Sequence, residues 1–223
     1  GEARKKLSGI ADAFLLHDRD IFMRVDDSVL RVASAECGMR NESKQPSNSA
    51  LRTPNSELVF IRRSRGYAPD PVLLGGDGPE VLGCGADLKN TFTLTKGAWA
   101  VPSQHIGDME SYETLQFFEE CLANLKQVYR VEPEAIAHDL HPGYLSTRWA
   151  LGTVRSAEFG MRNDVKTFAI QHHYAHIGSV MAEHGLAGPV IGVALDGTGY
   201  GTDGHLWGGE FLVADIHDFE RLG

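Results

Sequence analysis

Cysteine is scarce in this chain: Cys37, Cys84 and Cys121 lie far apart, and no two of them form a CxxC pair. That excludes a disulfide framework or a zinc ribbon as the organising device and fits a reducing compartment. Positive charge is also in deficit. Lys and Arg number 21 against 30 Asp and Glu, the net charge is −9, and the longest basic run is Arg4-Lys5-Lys6. Broad electrostatic attraction to nucleic acid or to an anionic membrane surface is therefore not expected. No apolar run approaches the ~18 residues of a membrane span, and the stretch from Gly1 to Gly9 is polar and basic, unlike a secretory leader. These absences leave a cytoplasmic protein, with neither nucleic acid nor membrane as partner, as the expectation. The 42% apolar and 23% charged residues that remain suit a globular protein of one or two cores.

Residues 35–57 are polar, proline-broken and poor in aliphatics, which predicts a linker. Ahead of it, residues 1–34 are too few for a domain. They suggest a strand pair at Ala13–Leu16 and Ile21–Arg24 and a third short strand at Val29–Val32, with more chain expected upstream. Beyond the linker, residues 58–188 carry a regular rhythm. Strands are predicted at Val81–Gly85, Asn90–Thr95 and Ala98–Pro102, the last two joined by a Lys96-Gly97 turn. Leu115, Phe118, Leu122, Leu125 and Tyr129 step by three and four and predict a helix over 111–130, ended by Pro133. A strand at 135–140, a helix at 144–157, a strand at 167–171 and a helix at 174–185 follow. Residues 189–223 then open with an apolar strand, Pro189–Leu195, and its hairpin partner, His205–Ala214. Three antiparallel strands followed by alternating helix and strand form one lobe of an α/β, actin/hexokinase-type ATPase. A second lobe is expected to begin at Pro189 and to stop after two strands.

Two polar clusters interrupt this scaffold. His172 and His176 stand four apart at a helix start, so they share one face with Cβ atoms roughly 5–6 Å apart. Imidazoles so placed can clamp zinc or iron at about 2.0–2.1 Å. The alternative is a helix start whose histidines cap or hydrogen-bond. His173 occupies the position where the zinc-protease motif needs a glutamate. After the next strand comes DGTGYGTDG, in which Asp196 can ligate a metal and Gly197, Gly199 and Gly201 allow backbone N–H groups to approach a phosphate. An ordinary Asp/Gly hairpin loop is the competing explanation. In the equivalent turn of the first lobe, GADLKNTF, Lys89 can neutralise phosphate charge and Asn90 can donate hydrogen bonds. His105 and His141 sit near strand ends as candidate substrate contacts, whereas His138 lies inside a strand and is structural. Arg62, Arg63, Ser64 and Arg65 are a solvated lead-in or, alternatively, an anion site. The cysteines are expected to pack.

The segments RRSRGYAPDPVLL, GADLKNTFTL, SQHIGDMESYET, DLHPGYLST, IQHHYAHIGSVMAEH and ALDGTGYGTDGHLWGGEF resemble the HypF family, the carbamoyltransferases of nickel–iron hydrogenase maturation. ADAFLLHDRDIFMRVDDSVLR is similar to the end of that family's YrdC-like domain. The resemblance implies chemistry in which carbamoyl phosphate and ATP give carbamoyl-adenylate. The carbamoyl group then passes to the C-terminal cysteine of HypE on the way to a cyanide ligand. It implies His172, His176 and Asp196 as ligands of iron or zinc, with Asp196 and Lys89 in catalytic roles. Asn90, Gly197, Gly199 and Gly201 are implied at the nucleotide, with magnesium as its companion. Arg24, Ser28 and Arg31 match the closing segment of the YrdC-like pocket. The rest of the second lobe, with a further metal ligand, is missing from these residues, so an incomplete active site is expected. A tRNA threonylcarbamoyl transferase, a sugar-kinase-like ATPase and a non-catalytic ATP-binding module on the same fold are the competing classes.

Overall fold

The apolar stripe of the long helix decides where the core lies, and a mixed sheet assembles against it. The computed structural model describes residues 2–16, 18, 19, 21–34, 56–152 and 165–223. A short helix α1 (Glu2–Leu7) comes first. Strands β1 (Val29–Ser34) and β2 (Ser56–Arg62) then pair antiparallel, with Leu30 opposite Phe60. Strands β3 (Val72–Gly78), β4 (Val81–Gly83) and β5 (Thr93–Pro102) follow. Next come α2 (Tyr112–Tyr129), β6 (Ala135–Asp139), α3 (Leu145–Ala150), β7 (Lys166–Ile170) and α4 (His172–His184). The chain continues through β8 (Val190–Ala194), β9 (Gly199–Tyr200), β10 (Leu206–Trp207), β11 (Glu210–Ala214) and β12 (Phe219–Arg221).

The principal sheet has the order β3-β5-β4-β6-β7, with β3 and β5 antiparallel and β4, β6 and β7 parallel. Helix α2 forms where its spacing predicts. Ser111 caps it by accepting from Thr114 N at 3.2 Å, and Arg130 closes it in the left-handed region at φ 52°. Lys96 Nζ donates to the Tyr129 and Arg130 carbonyls, satisfying groups that the last turn leaves open. Phe118 lies at the centre of the core, edge-on to Phe92 at 5.2 Å and to Trp149 at 5.0 Å.

Several expected elements are corrected. The turn predicted at Lys96-Gly97 is the middle of one continuous strand, β5; Gly97 takes φ 57° opposite Gly78, so the irregularity is absorbed by a glycine pair without reversing the chain. The third antiparallel strand is instead β3, whose VLLGGDG run has too many glycines to read as a strand. Ala13–Leu16 and Ile21–Arg24 are not strands: Leu15, Leu16, Ile21 and Phe22 are exposed among the described residues, while Met23 packs on the main core. β1 pairs across the proposed linker with β2, which already begins at Ser56; residues 35–55 and 153–157 of the predicted linker and helix lie outside the described residues.

A smaller sheet, order β12-β11-β8, and the β9–β10 hairpin complete the fold. Helix α4 joins the two parts, packing on β3 on one side and on β8 and β11 on the other.

Candidate metal centre

Parallel strands place their carboxyl ends on one edge, and β6 and β7 do so in register, with Asp139 beside Ile170. The next residue, Gln171, is extended (φ −65°, ψ 136°) and caps α4, its Oε1 accepting from Tyr174 N at 2.9 Å. His172 is therefore the first residue of the helix and His176 lies one turn on, with ring centroids 4.9 Å apart. Asp196 arrives from the end of β8. Its Oδ2 stands 3.4 Å from His172 Nε2 and 3.3 Å from His176 Nε2, and one ligand atom from each of the three residues lies within 4.8 Å of the others. Two ligand atoms about 2.0–2.1 Å from one ion at a tetrahedral angle stand about 3.3–3.4 Å apart, so both imidazole–carboxylate separations fit zinc or iron(II). Asp196 Oδ2 is moreover a buried oxygen with no hydrogen-bond partner, an orphan that a cation would satisfy.

The surroundings are built to hold these groups. Asp139 Oδ2 accepts from His172 Nδ1 at 2.6 Å and Asp139 Oδ1 from His141 N at 2.7 Å. The hydrogen bond to Asp139 raises the His172 pKa, against burial, which lowers it. His173 is fully buried. Gln171 Nε2 lies 3.0 Å from its Nδ1, and its Nε2 faces Asp196 at 3.8 Å. Burial depresses its pKa, with the Asp196 charge pulling the other way. Gly199 is required by this crowding, because a Cβ there would meet the His173 ring at 2.4 Å and His172 Cβ at 3.0 Å. Gly201 makes room for Trp207, and its N–H is spent on the His205 carbonyl; only Gly197 of the three faces open space. Gly199 and Gly201 are thus close-packing positions, whereas Gly197 has room around it.

Lys89 lines a cleft of about 750 Å³ with Arg62, Arg63, Ser103, His105 and His176. It holds a left-handed backbone (φ 50°) fixed by donation from its N–H to Asp108 Oδ1 at 2.7 Å, a conformation a non-glycine residue adopts at a cost. Burial lowers the pKa of His105, and the Arg62 charge adds to the effect. Asn90 differs from expectation. It is buried, and its Nδ2 donates to the Cys84 and Ala86 carbonyls, so it braces the turn from inside. His141 stacks on Tyr144 at 4.1 Å and accepts from Gly143 N through Nδ1, while His138 is buried against the Asp139 carbonyl.

The three residues expected at a YrdC-like pocket each have their own surroundings. Arg24 lies over the Phe117 ring at 4.3 Å, beside a separate cleft of about 320 Å³. Ser28 Oγ is occupied by Arg65 O and Ser64 N, and Arg31 is exposed on β1. Cys84 and Cys121 are buried, and desolvation pushes the Cys121 thiol up to about 12, so it is inert.

Sequence reasoning placed His141 near a strand end as a candidate contact but did not assign Asp139 beside it to the centre, and it missed Gln171 and Trp207. The position of Asp139 at a parallel-strand carboxyl end was the available signal. Gln171 and Trp207 carried none, since their partners His173 and Asp203 matter only once the chain has folded.

Comparison with known proteins agrees with this architecture. Residues 76–183 match the family model described as the HypF Kae1-like domain, and residues 192–223 match that of the second subdomain of the carbamoyltransferase Kae1-like domain. Over its whole length the chain is 45% identical to carbamoyltransferase HypF2 of Cupriavidus necator and 42% identical to carbamoyltransferase HypF of Rhizobium leguminosarum bv. viciae. It spans about a quarter of those relatives' length, 24% and 25%. Among solved structures, full-length HypF in a phosphate- and nucleotide-bound form superposes with a TM-score of 0.79 at 43% identity, over 99% of this chain and 30% of that one. HypF of T. kodakarensis gives 0.76 at 40% identity, over all of this chain and 25% of that one.

Proposed function

The chain belongs to the HypF family, and from that premise we propose that it carries part of the carbamoyl-transfer site used in nickel–iron hydrogenase maturation. The observation that carries this reading is the convergence of His172, His176 and Asp196 on one point, with a buried Asp196 oxygen lacking any partner. These three residues would hold iron or zinc, which when bound supplies Lewis acidity toward a carbonyl or phosphoryl oxygen.

In this reading the cleft between Lys89 and His176 receives the anionic end of the donor. Lys89 and Arg63 bring positive charge to it, Arg62 does so while paired with Asp26 at 3.2 Å, and His105, whose pKa burial lowers, adds a ring able to hydrogen-bond. The donor is carbamoyl-adenylate, made from carbamoyl phosphate and ATP with magnesium accompanying the nucleotide. The phosphate and nucleotide bound by the related full-length HypF support that ligand class. The acceptor is the C-terminal cysteine of HypE: its thiolate forms a bond to the carbamoyl carbon, the bond to the phosphate oxygen breaks, and AMP leaves. Asp196 and Lys89 act at this site by holding the ion and the phosphate charge. The remaining nucleotide contacts are expected from segments of the relatives that these residues do not span. A cytoplasmic setting and the absence of nucleic-acid and membrane partners complete the proposal. Among the described residues no helix is long and apolar enough to cross a membrane. A tRNA-modifying role is disfavoured by the −9 charge and by the HypF identity of the relatives.

The test is metal content. His172→Ala combined with His176→Ala abolishes bound iron or zinc while circular dichroism stays that of the unaltered protein; stoichiometric metal retained by the double variant would overturn the assignment.

A further inference from the structure

Three histidines, His172, His173 and His176, crowd the start of α4, and all three ring nitrogens face one carboxylate. Their hydrogen bonds make them unequal. We propose that Asp139 and Gln171 select the ligands: Asp139 holds His172 with a bare Nε2 aimed at the ion, and Gln171 holds His173 with a protonated Nε2 that cannot ligate. The inference rests on the proposal that this centre holds a metal.

The assignment of protons follows from which groups can only donate or only accept. Asp139 is a carboxylate whose Oδ1 already takes the His141 backbone N–H at 2.7 Å, and its Oδ2 lies 2.6 Å from His172 Nδ1. An ionised carboxylate only accepts, so Nδ1 bears hydrogen and the neutral ring presents its lone pair at Nε2. That lone pair points toward Asp196 Oδ2 at 3.4 Å, two electron-rich atoms that a cation between them reconciles.

Gln171 is fixed in the opposite sense. Its Oε1 accepts from Tyr174 N as the helix cap, and its Nε2 donates to the Tyr200 carbonyl, so the amide cannot be turned over. The NH2 therefore faces His173 Nδ1 at 3.0 Å and donates to it. Hydrogen then resides on His173 Nε2, which stands 3.8 Å from Asp196 Oδ2, and the Gly208 backbone also acts on the His173 ring. His173 supports the carboxylate electrostatically and is excluded from the ion. His176, with its ring largely exposed, supplies the second imidazole.

Asp139 is thus a positioning residue acting through His172, and two substitutions in the full chain separate that role from a structural one. Both keep the Asp139 backbone carbonyl, which takes Thr147 Oγ1 and the His138 ring. Asp139→Ala leaves His172 free to choose its tautomer and weakens zinc binding about 10–100-fold, read by competition with a chromophoric chelator. Asp139→Asn keeps an oxygen for His141 N and therefore turns its NH2 toward His172, forcing the hydrogen onto Nε2; it loses more affinity than the alanine variant. Gln171→Glu keeps the cap on Tyr174 N but opposes an acceptor to His173 Nδ1, and the histidine count at the metal in X-ray absorption rises from two to three. Equal losses in the two Asp139 variants, a greater loss in the alanine, or a histidine count unchanged in Gln171→Glu would overturn the inference. Tight zinc binding by the unaltered protein beside any of these results would leave the centre itself standing, whereas no binding by it would overturn both.

Discussion

The two sheets are unequal, and the candidate centre sits at their junction. Among the described residues, the five-stranded sheet and α2 enclose a continuous core from Leu82 through Phe118 to Trp149, all fully buried. The smaller sheet sets the buried Leu212 and Ala214 and the partly buried Val190 and Phe219 against Ile177 and Met181, and those last two belong to α4. Ile191, Val193, Leu195 and Phe211 remain exposed on it. The first part therefore buries the larger apolar core, and the second completes its own with side chains of α4. The centre inherits this asymmetry: its histidines come from the helix shared by both sheets, and its carboxylate comes from the end of a strand in the weaker one. Whatever orders β8 also sets the distance from Asp196 to the two imidazoles.

Substitutions can break this contrast from either side. The largest effect is expected from Phe118→Ala, which opens a cavity between Phe92 and Trp149 and costs about 3–5 kcal/mol in thermal or denaturant unfolding. Leu212→Ala, at a residue with no exposure, costs about 2–5 kcal/mol. Hydrogen exchange should localise that loss to β8, β11 and β12, leaving β4 and β6 protected; global loss of protection would contradict the inequality of the sheets. Lys89→Ala belongs to the strong side and leaves unfolding nearly unchanged. Phosphate or nucleotide binding to the full chain weakens by about 1.5–3 kcal/mol, the value of a charge-assisted hydrogen bond, read by calorimetry.

The smallest effect is a pH dependence of the weaker sheet. Arg221 makes two bonds of 2.7 Å to the buried Glu210 and covers Trp207 at 4.1 Å, and this contact holds the Glu210 carboxyl below the usual range. A group with a depressed folded pKa contributes stability above its unfolded value, about 4.3, and loses it as pH falls through the folded value. The β11–β12 pair therefore weakens on acidification below about pH 4.3. Glu210→Gln flattens that acid limb, and an unchanged limb would remove the ion pair from the account.

In the strong region the long helix was the most legible element. Leu115, Phe118, Leu122 and Leu125 announce α2, and Ser111 and Arg130 close it where the stripe ends. The apolar runs of β6 and β8 and the His172–His176 spacing carry enough local information to be read directly. β3 was hidden by its glycines, and the β5 irregularity at Gly97 imitated a turn. The support of the centre was not legible, because Asp139 reaches His172 across 33 residues of sequence and only the parallel pairing of β6 and β7 brings them together. The role of His173 depends on which way one amide points, and no spacing rule encodes that.

The most direct test of a centre shared between the two parts is X-ray absorption on the metal bound to the full protein, unaltered and with Asp196→Ala. The account predicts two imidazole nitrogens and carboxylate oxygen at about 2.0–2.1 Å, with the oxygen contribution and most of the metal lost in the variant. A sulfur shell, or an ion retained with the same shell after Asp196→Ala, would contradict it.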